Sequence, residues 1–451
     1  MKRECGRKES WILMLILTLL VASLIRVSAF YLPHDNGDQV FFLGTAMKLD
    51  KFGIEGYNFR KIDTRSDGRI LGLFHSEGEG KGALLEGLAT AGIYYYDEPL
   101  YHVPPLFSYM LMFSHRLFAK EKPYLAVTAN LISGPKVKRP MDFVNIQFYC
   151  SVVPFFFSLL FISSVFLMGR TLFSDRVGFY AALLISISPI DILSSQKVWA
   201  DDMVSFFLVL GALLFLMGHK KDRVILSAMG GACGGLATLG KQNGAFIVIA
   251  LILFSLWQRR SELLSRHFLK AIFDKHLVAF GIAMFLITLP WFYMMTTTYG
   301  VPWYHPSQPG LGQTEWFKTI AERPWYTYLV GIPYLVPLFI FGYLRICSAF
   351  RRSESRRPES AFLILWFLVY FSIMSFYFRS MEHRYMLPAY APLAICSALA
   401  MEGFAEYLNK RLGRSYGFTV VLLLIIACAA WSVPIGISHA FGNVGLILEP
   451  F

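Results

Sequence analysis

The feature that most constrains this chain is a series of apolar runs, each about as long as a bilayer is thick. A helix needs roughly 20 apolar residues to cross a hydrocarbon core about 30 Å thick. The runs lie at 11–31, 143–169, 177–197, 203–218, 224–240, 245–257, 277–297, 326–344, 361–378, 386–402 and 418–436. We therefore predict an all-α polytopic membrane protein with about eleven spans.

The composition agrees with a membrane environment. Of the 451 residues, 55% are hydrophobic and 16% are charged, whereas soluble domains have roughly 45–50% and 25%. These values exclude a disordered chain, a coiled coil and an ordinary soluble enzyme. The net charge is +12, but the basic residues lie in short segments between apolar runs, so we expect no nucleic-acid partner. The six cysteines lack zinc-binding spacing and indicate no disulfide framework.

The distribution of Lys and Arg predicts how the chain is oriented in the membrane. Short cytoplasmic loops of membrane proteins are enriched in these residues. They concentrate before the first run and after the runs that end at residues 169, 218, 257, 344 and 402. The N terminus is therefore predicted to be cytoplasmic. The first run is long and lacks a small-residue cleavage site, so we expect an anchor rather than a removed signal peptide.

We expect residues 1–451 to form a single transmembrane domain, with no separate soluble domain. Residues 32–142 form its one long extracytoplasmic loop. Within this loop, Val40–Leu49 has the pattern of an amphipathic helix with Asp38 as its N-cap. The apolar segment Pro104–Phe118 is short for a span and carries charge, so we predict an interfacial helix that lies on the membrane surface.

Charged residues at the outer ends of the predicted spans need a partner, a water-filled cavity or a function, because exposing them to the membrane boundary costs free energy. They form four groups: Asp35 and Asp38; Lys197, Asp201 and Asp202; Lys241; and Glu382, His383 and Arg384. The predicted topology places all four groups on the same side of the membrane. We therefore expect them to share one outward-facing site.

Five short motifs carry these residues in order along the chain. They are Asp38-Gln39-x-x-Phe42-x-x-x-Ala46, His102-Val103-Pro104-Pro105-Leu106, Ser188-Pro189 followed by Lys197 and Ala200-Asp201-Asp202-Met203, Gly235-Leu236-Ala237-Thr238-Leu239-Gly240-Lys241, and Arg384-Tyr385-Met386-Leu387-Pro388. The set resembles the motifs of the GT-C glycosyltransferases, in the branch that contains protein O-mannosyltransferases and the lipid A aminoarabinose transferase. The resemblance covers roughly residues 34–257 and 379–395.

The resemblance implies a GT-C-type helical bundle that moves a sugar from a polyprenyl-phosphate donor to the hydroxyl of an acceptor lipid, glycan or protein. It implies Asp38 as the general base and Asp202 as a second catalytic residue. The donor phosphate is then held by Lys241, Arg384 and Lys197. Asp35, His102 and Asp201 are secondary candidates. No cofactor is expected, and a divalent cation shared by Asp38, Asp201 and Asp202 is not favoured because Asp-x-Asp is absent.

Simpler interpretations of these residues remain open. In one interpretation, Asp38 only caps a helix. In another, Asp201 pairs with Lys197 and stabilises a helix end. For Lys241, the alternative is that its side chain extends to the lipid headgroups. For Arg384, the alternative is an ion pair with Glu382. The resemblance is also incomplete: Val103 stands where the aminoarabinose-transferase branch has a lysine, and Gln39 replaces a glutamate. The identities of the sugar and the acceptor are therefore not implied.

Two other classes of protein would have many spans and buried charges. A secondary transporter or flippase places ionisable groups near the middle of the membrane and often has duplicated halves, and no repeat is visible here. A non-catalytic assembly scaffold would tolerate replacement of the charged residues. We favour a glycosyltransferase of the bacterial plasma (inner) membrane, with membrane lipids around it and its active site on the extracytoplasmic face.

Overall fold

The computed structural model describes residues 2–27, 104–118, 140–260, 274–300, 324–351, 358–378, 382–412 and 416–441, together with isolated residues between 42 and 54. The described residues form helices and no strand. The predicted amphipathic helix Val40–Leu49 and the rest of the loop 32–142 lie mostly outside this part of the chain. Within the loop, Leu106–Phe118 is helical, as predicted for the interfacial segment.

The α-helices are numbered along the chain. They are α1 (Lys2–Val27), α2 (Leu106–Phe118), α3 (Pro140–Leu172), α4 (Asp175–Ser186), α5 (Pro189–Gln196), α6 (Asp201–Lys221), α7 (Val224–Gly240), α8 (Ile247–Gln258), α9 (Lys275–Tyr299), α10 (Thr327–Leu335), α11 (Phe339–Arg351), α12 (Pro358–Ser372), α13 (Leu387–Leu412) and α14 (Tyr416–Phe441). Short 3-10 helices at Gln242–Phe246 and His383–Met386 precede α8 and α13, and a π-helix at Ile373–Phe378 follows α12.

Six helical segments of the described chain are long and apolar enough to cross a membrane. They are Ser151–Leu172, Asp201–Lys221, Lys275–Thr298, Pro358–Phe376, His383–Leu412 and Tyr416–His439. Shorter apolar helices lie at Trp11–Val27, Val224–Gly240, Gln242–Gln258 and Phe339–Ser348. The prediction of an all-α polytopic protein is confirmed, and the number eleven stays a prediction.

Two of the predicted runs are interrupted rather than continuous. The run 177–197 consists of α4 and α5, which are separated at Ile187 and Ser188, and Pro189 begins α5. The run 326–344 breaks between α10 and α11, around Pro337. Proline lacks a backbone N–H, so it interrupts a helix and favours the first turn of a new one. Pro189 is the first residue of α5, and Pro337 lies between the end of α10 and the start of α11. The interruption before Pro189 shapes the site described below.

Glycines allow α6, α7 and α9 to approach closely. A Cβ added at Gly211 on α6 would lie 2.8 Å from the carbonyl oxygen of Gly230 on α7, and one added at Gly231 would lie 2.0 Å from the carbonyl oxygen of Phe280 on α9. Only glycine fits such close backbone contacts between helices in a membrane. Because α6 and α7 run in opposite directions, the end of α7 lies beside the beginning of α6.

A small apolar cluster connects the long loop with the start of α6. Phe42 packs edge-on against Phe107 of α2, with ring centroids 5.0 Å apart, and Ala46 is buried in the same cluster. The cluster includes Ala200 and Met203, which flank Asp201 and Asp202 in the sequence. The part of the loop that carries Phe42 and Ala46 therefore packs next to the first turn of α6.

Candidate functional site

Lys241 and Asp201 form an ion pair where the end of α7 meets the start of α6. Lys241 follows the last residue of α7, and Asp201 lies in the first turn of α6. The distance from Lys241 Nζ to Asp201 Oδ1 is 2.7 Å, and the side chain of Lys241 is 23% exposed. A carboxylate at a helix N-terminus and a cation at a helix C-terminus both complement the helix dipole. The antiparallel packing of α6 and α7 therefore brings this pair together.

Arg384 lies in the same region, on the short helix before α13. Its guanidinium carbon is 4.1 Å from the ring centroid of Trp199 and 5.1 Å from that of Tyr385, and it forms an ion pair with Glu382. The ring of Tyr385 also lies 3.9 Å from Lys241 Nζ. Aromatic faces attract cations, most strongly where water is excluded. Tyr385 thus contacts both cations, which lie far apart in the sequence.

We call this group the cation cluster. Its members are Trp199, Asp201, Lys241, Glu382, Arg384 and Tyr385. Its geometry can hold an anion, because two cations lie at one level and Lys241 is partly exposed. Each cation also has a carboxylate partner already. An incoming anion would therefore have to replace a carboxylate at Lys241 or at Arg384.

A second group, the buried cluster, adjoins the first. Its members are Arg26, Ser158, Asp191, Gln196 and Asp202, and all five side chains are buried. Arg26 lies in the last turn of α1 and is fully enclosed. Its guanidinium forms an ion pair with Asp191 on α5 and donates to Ser158 Oγ at 2.9 Å.

The remaining donors of Arg26 contact the backbone. One nitrogen, Nη1, donates to the carbonyl oxygens of Ala22 and Ser186, both at 3.0 Å. The carbonyl oxygen of Arg26 in turn accepts from Gln196 Nε2 at 3.1 Å. The side chain therefore joins α1, α3, α4 and α5. A buried charge with this many partners is strongly fixed in position.

Asp202 faces away from its neighbour Asp201. Its carboxyl group is fully buried, Asp191 is the charged residue that influences it most, and neither of its oxygens has a hydrogen-bond partner among the described residues. Two adjacent carboxylates on a helix point in different directions. Asp201 therefore belongs to the cation cluster and Asp202 to the buried cluster.

Four charged residues named from the sequence lie in the cation cluster, and Asp202 lies in the adjoining buried cluster. Asp201 pairs with Lys241 rather than with Lys197, and Arg384 pairs with Glu382. Lys197 caps the end of α5 and is buried, and its carbonyl accepts from the backbone N–H of Trp199 at 2.8 Å. The candidates Asp35, Asp38 and His102 lie outside the described residues. Their roles stay predictions, as do those of the described candidates.

Sequence reasoning missed Arg26 and Asp191. Both carried a signal: Arg26 is a charge within the first apolar run, and Asp191 lies within the third. Ionisable residues inside spans are rare and usually functional or paired. The sequence did not indicate that Arg26 and Asp191 pair with each other, because residues so far apart in the sequence meet only in the folded bundle.

The charges of the two clusters and Lys197 balance formally. The acids are Asp191, Asp201, Asp202 and Glu382, and the bases are Arg26, Lys197, Lys241 and Arg384. Among the described residues, no group of three or more His, Cys, Asp or Glu side chains is arranged to hold a metal ion. An anionic ligand would therefore have to displace a carboxylate from its cation.

A third charged group lies at the opposite end of α6. Asp222 ends that helix, forms an ion pair with Lys275 and contacts His276 Nε2 at 3.0 Å; the other ring nitrogen of His276 is 2.9 Å from Ser227 Oγ. Hydrogen bonds from Lys275 and His276 hold the pKa of the exposed Asp222 carboxyl below its usual range. Ser227 is fully buried within α7.

Comparison with known proteins relates the whole bundle to two solved structures. The archaeal oligosaccharyltransferase AglB from Archaeoglobus fulgidus, in complex with an inhibitory peptide and a dolichol-phosphate, has a TM-score of 0.59 at 13% identity; the match covers 97% of this chain and 56% of that one. ArnT from Cupriavidus metallidurans, bound to undecaprenyl phosphate, has a TM-score of 0.56 at 15% identity, with 96% and 76% covered.

This chain has the GT-C fold. Residues 144–296 also match the sequence family described as dolichyl-phosphate-mannose-protein mannosyltransferase. No curated protein gave a significant match. The chain spans little more than half the length of the AglB structure. The fold expected from the resemblance is confirmed, and the GT-C fold with its apolar helices indicates an integral, multi-pass membrane protein.

Proposed function

We propose that this protein transfers a sugar from a polyprenyl-phosphate carrier to an acceptor hydroxyl at the extracytoplasmic face of the membrane. The observation that carries the proposal is the position of Lys241 and Arg384, which both contact the ring of Tyr385 at one end of a GT-C bundle. The solved complexes of AglB and ArnT hold a dolichol-phosphate and undecaprenyl phosphate, respectively. A phosphate on a lipid tail fits a cation pair beside the membrane.

The phosphate would bind by exchanging with the carboxylates of the cation cluster. Lys241 and Arg384 are paired with Asp201 and Glu382 in the structure, and both cations already lie beside the ring of Tyr385. A guanidinium binds phosphate with two parallel hydrogen bonds, and an ammonium acts as a point charge. As the phosphate leaves, both cations would stabilise its developing negative charge.

Asp38 is the proposed general base. Phe42 and Ala46, which follow it in the same motif, pack beside the first turn of α6. In the proposed reaction, Asp38 accepts the proton of the acceptor hydroxyl while the acceptor oxygen attacks the anomeric carbon. The bond between that carbon and the phosphate oxygen breaks, and its electron pair leaves on the polyprenyl phosphate. The products are the glycosylated acceptor and the free lipid phosphate.

The first prediction tests the reaction directly. Envelope lipids and glycoproteins from cells with and without the gene are compared by mass spectrometry to identify the missing hexose or pentose and its acceptor. The purified chain in vesicles, supplied with that polyprenyl-phosphate sugar, is then expected to transfer it. Replacing Asp38 with Asn should lower the rate by about a hundredfold or more, because the general base is lost.

The control is Asp222→Asn, which removes a carboxylate at the opposite end of the bundle and should leave the rate of transfer unchanged. Normal transfer by an inserted, folded Asp38→Asn variant would contradict the assignment of the base. Movement of the intact donor across the vesicle membrane without any transfer would instead identify a flippase.

A further inference from the structure

The buried cluster joins the segments that hold or lead to the proposed reaction centre. Arg26 lies in the last turn of α1, and the sequence continues from there to Asp38. Asp191 lies on α5, and Asp202 lies in the first turn of α6. An ion pair joins Arg26 to Asp191, and the buried carboxyl groups of Asp191 and Asp202 influence each other electrostatically.

We infer that Arg26 is a positioning residue for the sugar transfer proposed above, on which this role rests. Through Asp191 it fixes the Asp202 carboxyl group relative to the end of α1. Arg26 does not itself contact a substrate, because its side chain is 0% exposed and its donors face protein atoms.

The hydrogen bonds around Asp191 show how Arg26 affects the position of the Asp202 carboxyl group. Its Oδ2 atom accepts from both Arg26 and Ser158, the latter at 3.0 Å, and two donors on one oxygen limit rotation of the carboxyl group. Its Oδ1 atom and both oxygens of Asp202 have no hydrogen-bond partner among the described residues. Arg26 and Ser158 thus fix the Oδ2 atom of Asp191, and the charge of Asp191 in turn limits where the Asp202 carboxyl group can lie.

A purely structural role makes a different prediction. A buried ion pair that only holds helices together can be replaced by apolar residues of similar volume with little loss of stability. The double variant Arg26→Met with Asp191→Leu would then regain both the fold and the activity. A positioning role predicts that the double variant regains the fold alone, since Met and Leu leave Asp202 without its oriented neighbour.

Arg170 provides a matched control at the other end of the same helices. It ion-pairs with Asp175 of α4, with Nε 2.7 Å from Oδ1, and its guanidinium stacks over Trp11 of α1 at 4.0 Å. Like Arg26, Arg170 therefore connects α1, α3 and α4. It lies far from Asp202, so Arg170→Met tests whether any clamp between these helices affects the reaction.

The experiment measures kcat and the donor KM of the full-length chain in vesicles, and the unfolding temperature of each variant. We expect the Arg26→Met, Asp191→Leu double variant to unfold near the wild-type temperature. Its kcat should fall by about tenfold to a hundredfold, the usual cost of a small misplacement of reacting groups, with donor KM changed less than about twofold. Arg26→Lys keeps the charge but not the planar fork, so its kcat should be intermediate.

Three results would overturn the inference. They are a folded double variant with wild-type kcat, an equal loss of kcat in Arg170→Met, and a loss confined to donor KM, which would make Arg26 a binding residue. If the double variant does not fold, Arg26→Lys decides: wild-type kcat in that variant also overturns the role. A wild-type chain without transfer overturns the proposed function itself, and this role with it.

Discussion

The two charged clusters adjoin at Asp201 and Asp202 but hold their cations differently. In the cation cluster, Lys241 is 23% exposed, lies over an aromatic ring and forms an ion pair with Asp201. In the buried cluster, Arg26 is fully enclosed, and its donors reach two side chains and two backbone carbonyls. The first arrangement can exchange a partner, whereas the second is fixed.

This difference follows from the cost of moving charges. Two opposite charges 4 Å apart attract by about 1 kcal/mol in water and by about 4 kcal/mol near a protein surface. A partly exposed pair can therefore separate at small cost when a phosphate replaces the carboxylate. Breaking a fully buried pair costs about 3–5 kcal/mol, because it leaves an uncompensated charge. We infer that the cation cluster binds and the buried cluster positions.

Lys241→Gln tests whether the cation cluster binds the donor phosphate. Its expected effect is larger than that of Glu382→Gln or Asp222→Asn. The substitution keeps a hydrogen-bond donor of similar reach and removes the charge. The donor KM should rise by about ten- to a hundredfold, since a hydrogen bond to a charged group contributes roughly 1.5–3 kcal/mol. The matched control is Lys220→Gln, which removes the lysine that pairs with Glu359 at 3.7 Å near the opposite end of the bundle. An unchanged donor KM in Lys241→Gln would contradict the exchange of partners.

Glu382→Gln tests the same exchange of partners by changing a carboxylate rather than a cation. This substitution removes the carboxylate that competes with phosphate for Arg384. The donor KM should therefore fall, by about two- to fivefold, because the pair is largely buried and a neutral Gln competes less strongly with phosphate for the guanidinium than a carboxylate does. Binding of labelled polyprenyl phosphate to the purified protein provides the measurement. Weaker binding would show that Glu382 holds Arg384 in place rather than competing with the ligand.

Asp222→Asn has the smallest expected effect and tests whether burial distinguishes the clusters. Hydrogen bonds from Lys275 and His276 lower the pKa of Asp222 in the folded state, so the stabilisation is present above the unfolded pKa of about 3.9. It is lost as the pH falls through the lower folded pKa. Asn also tolerates the left-handed backbone at this position (φ 51°).

The unfolding temperature at pH 7 should therefore fall by no more than about 2 °C in Asp222→Asn. Added salt should reduce the difference between the two proteins, since exposed ion pairs are screened. A large loss of stability would show that exposed pairs in this protein are as important as buried ones, and the contrast between the clusters would then have no basis.

Much of the architecture was predictable from local sequence patterns. The apolar runs predicted the helices, because a bilayer imposes a length on every span. The predicted topology also placed Asp201, Lys241 and Arg384 on one side of the membrane, and the structure brings them together. The breaks at Pro189 and Pro337 were visible as prolines, but the apolar character on both sides made each run look continuous.

The pairing of the charges was not predictable in the same way. Spacing along a helix suggested Lys197 as the partner of Asp201, whereas the antiparallel packing of α6 and α7 supplies Lys241 instead. The partner of Arg26 likewise depends on where α5 lies within the bundle. Local periodicity identifies which residues share a face, but contacts between distant helices depend on packing, which one sequence does not specify.

The interruption between α4 and α5 explains why an arginine is tolerated inside α1. Where a helix stops, its last carbonyl oxygens lose the amide partners that a continuing helix would supply. The carbonyl of Ser186, the final residue of α4, accepts from Arg26 at 3.0 Å. The guanidinium therefore caps a helix that belongs to another part of the chain, and its positive charge offsets the negative end of that helix. Pro189 and Arg26 act as one unit: the proline creates the unmet acceptor, and the arginine satisfies it.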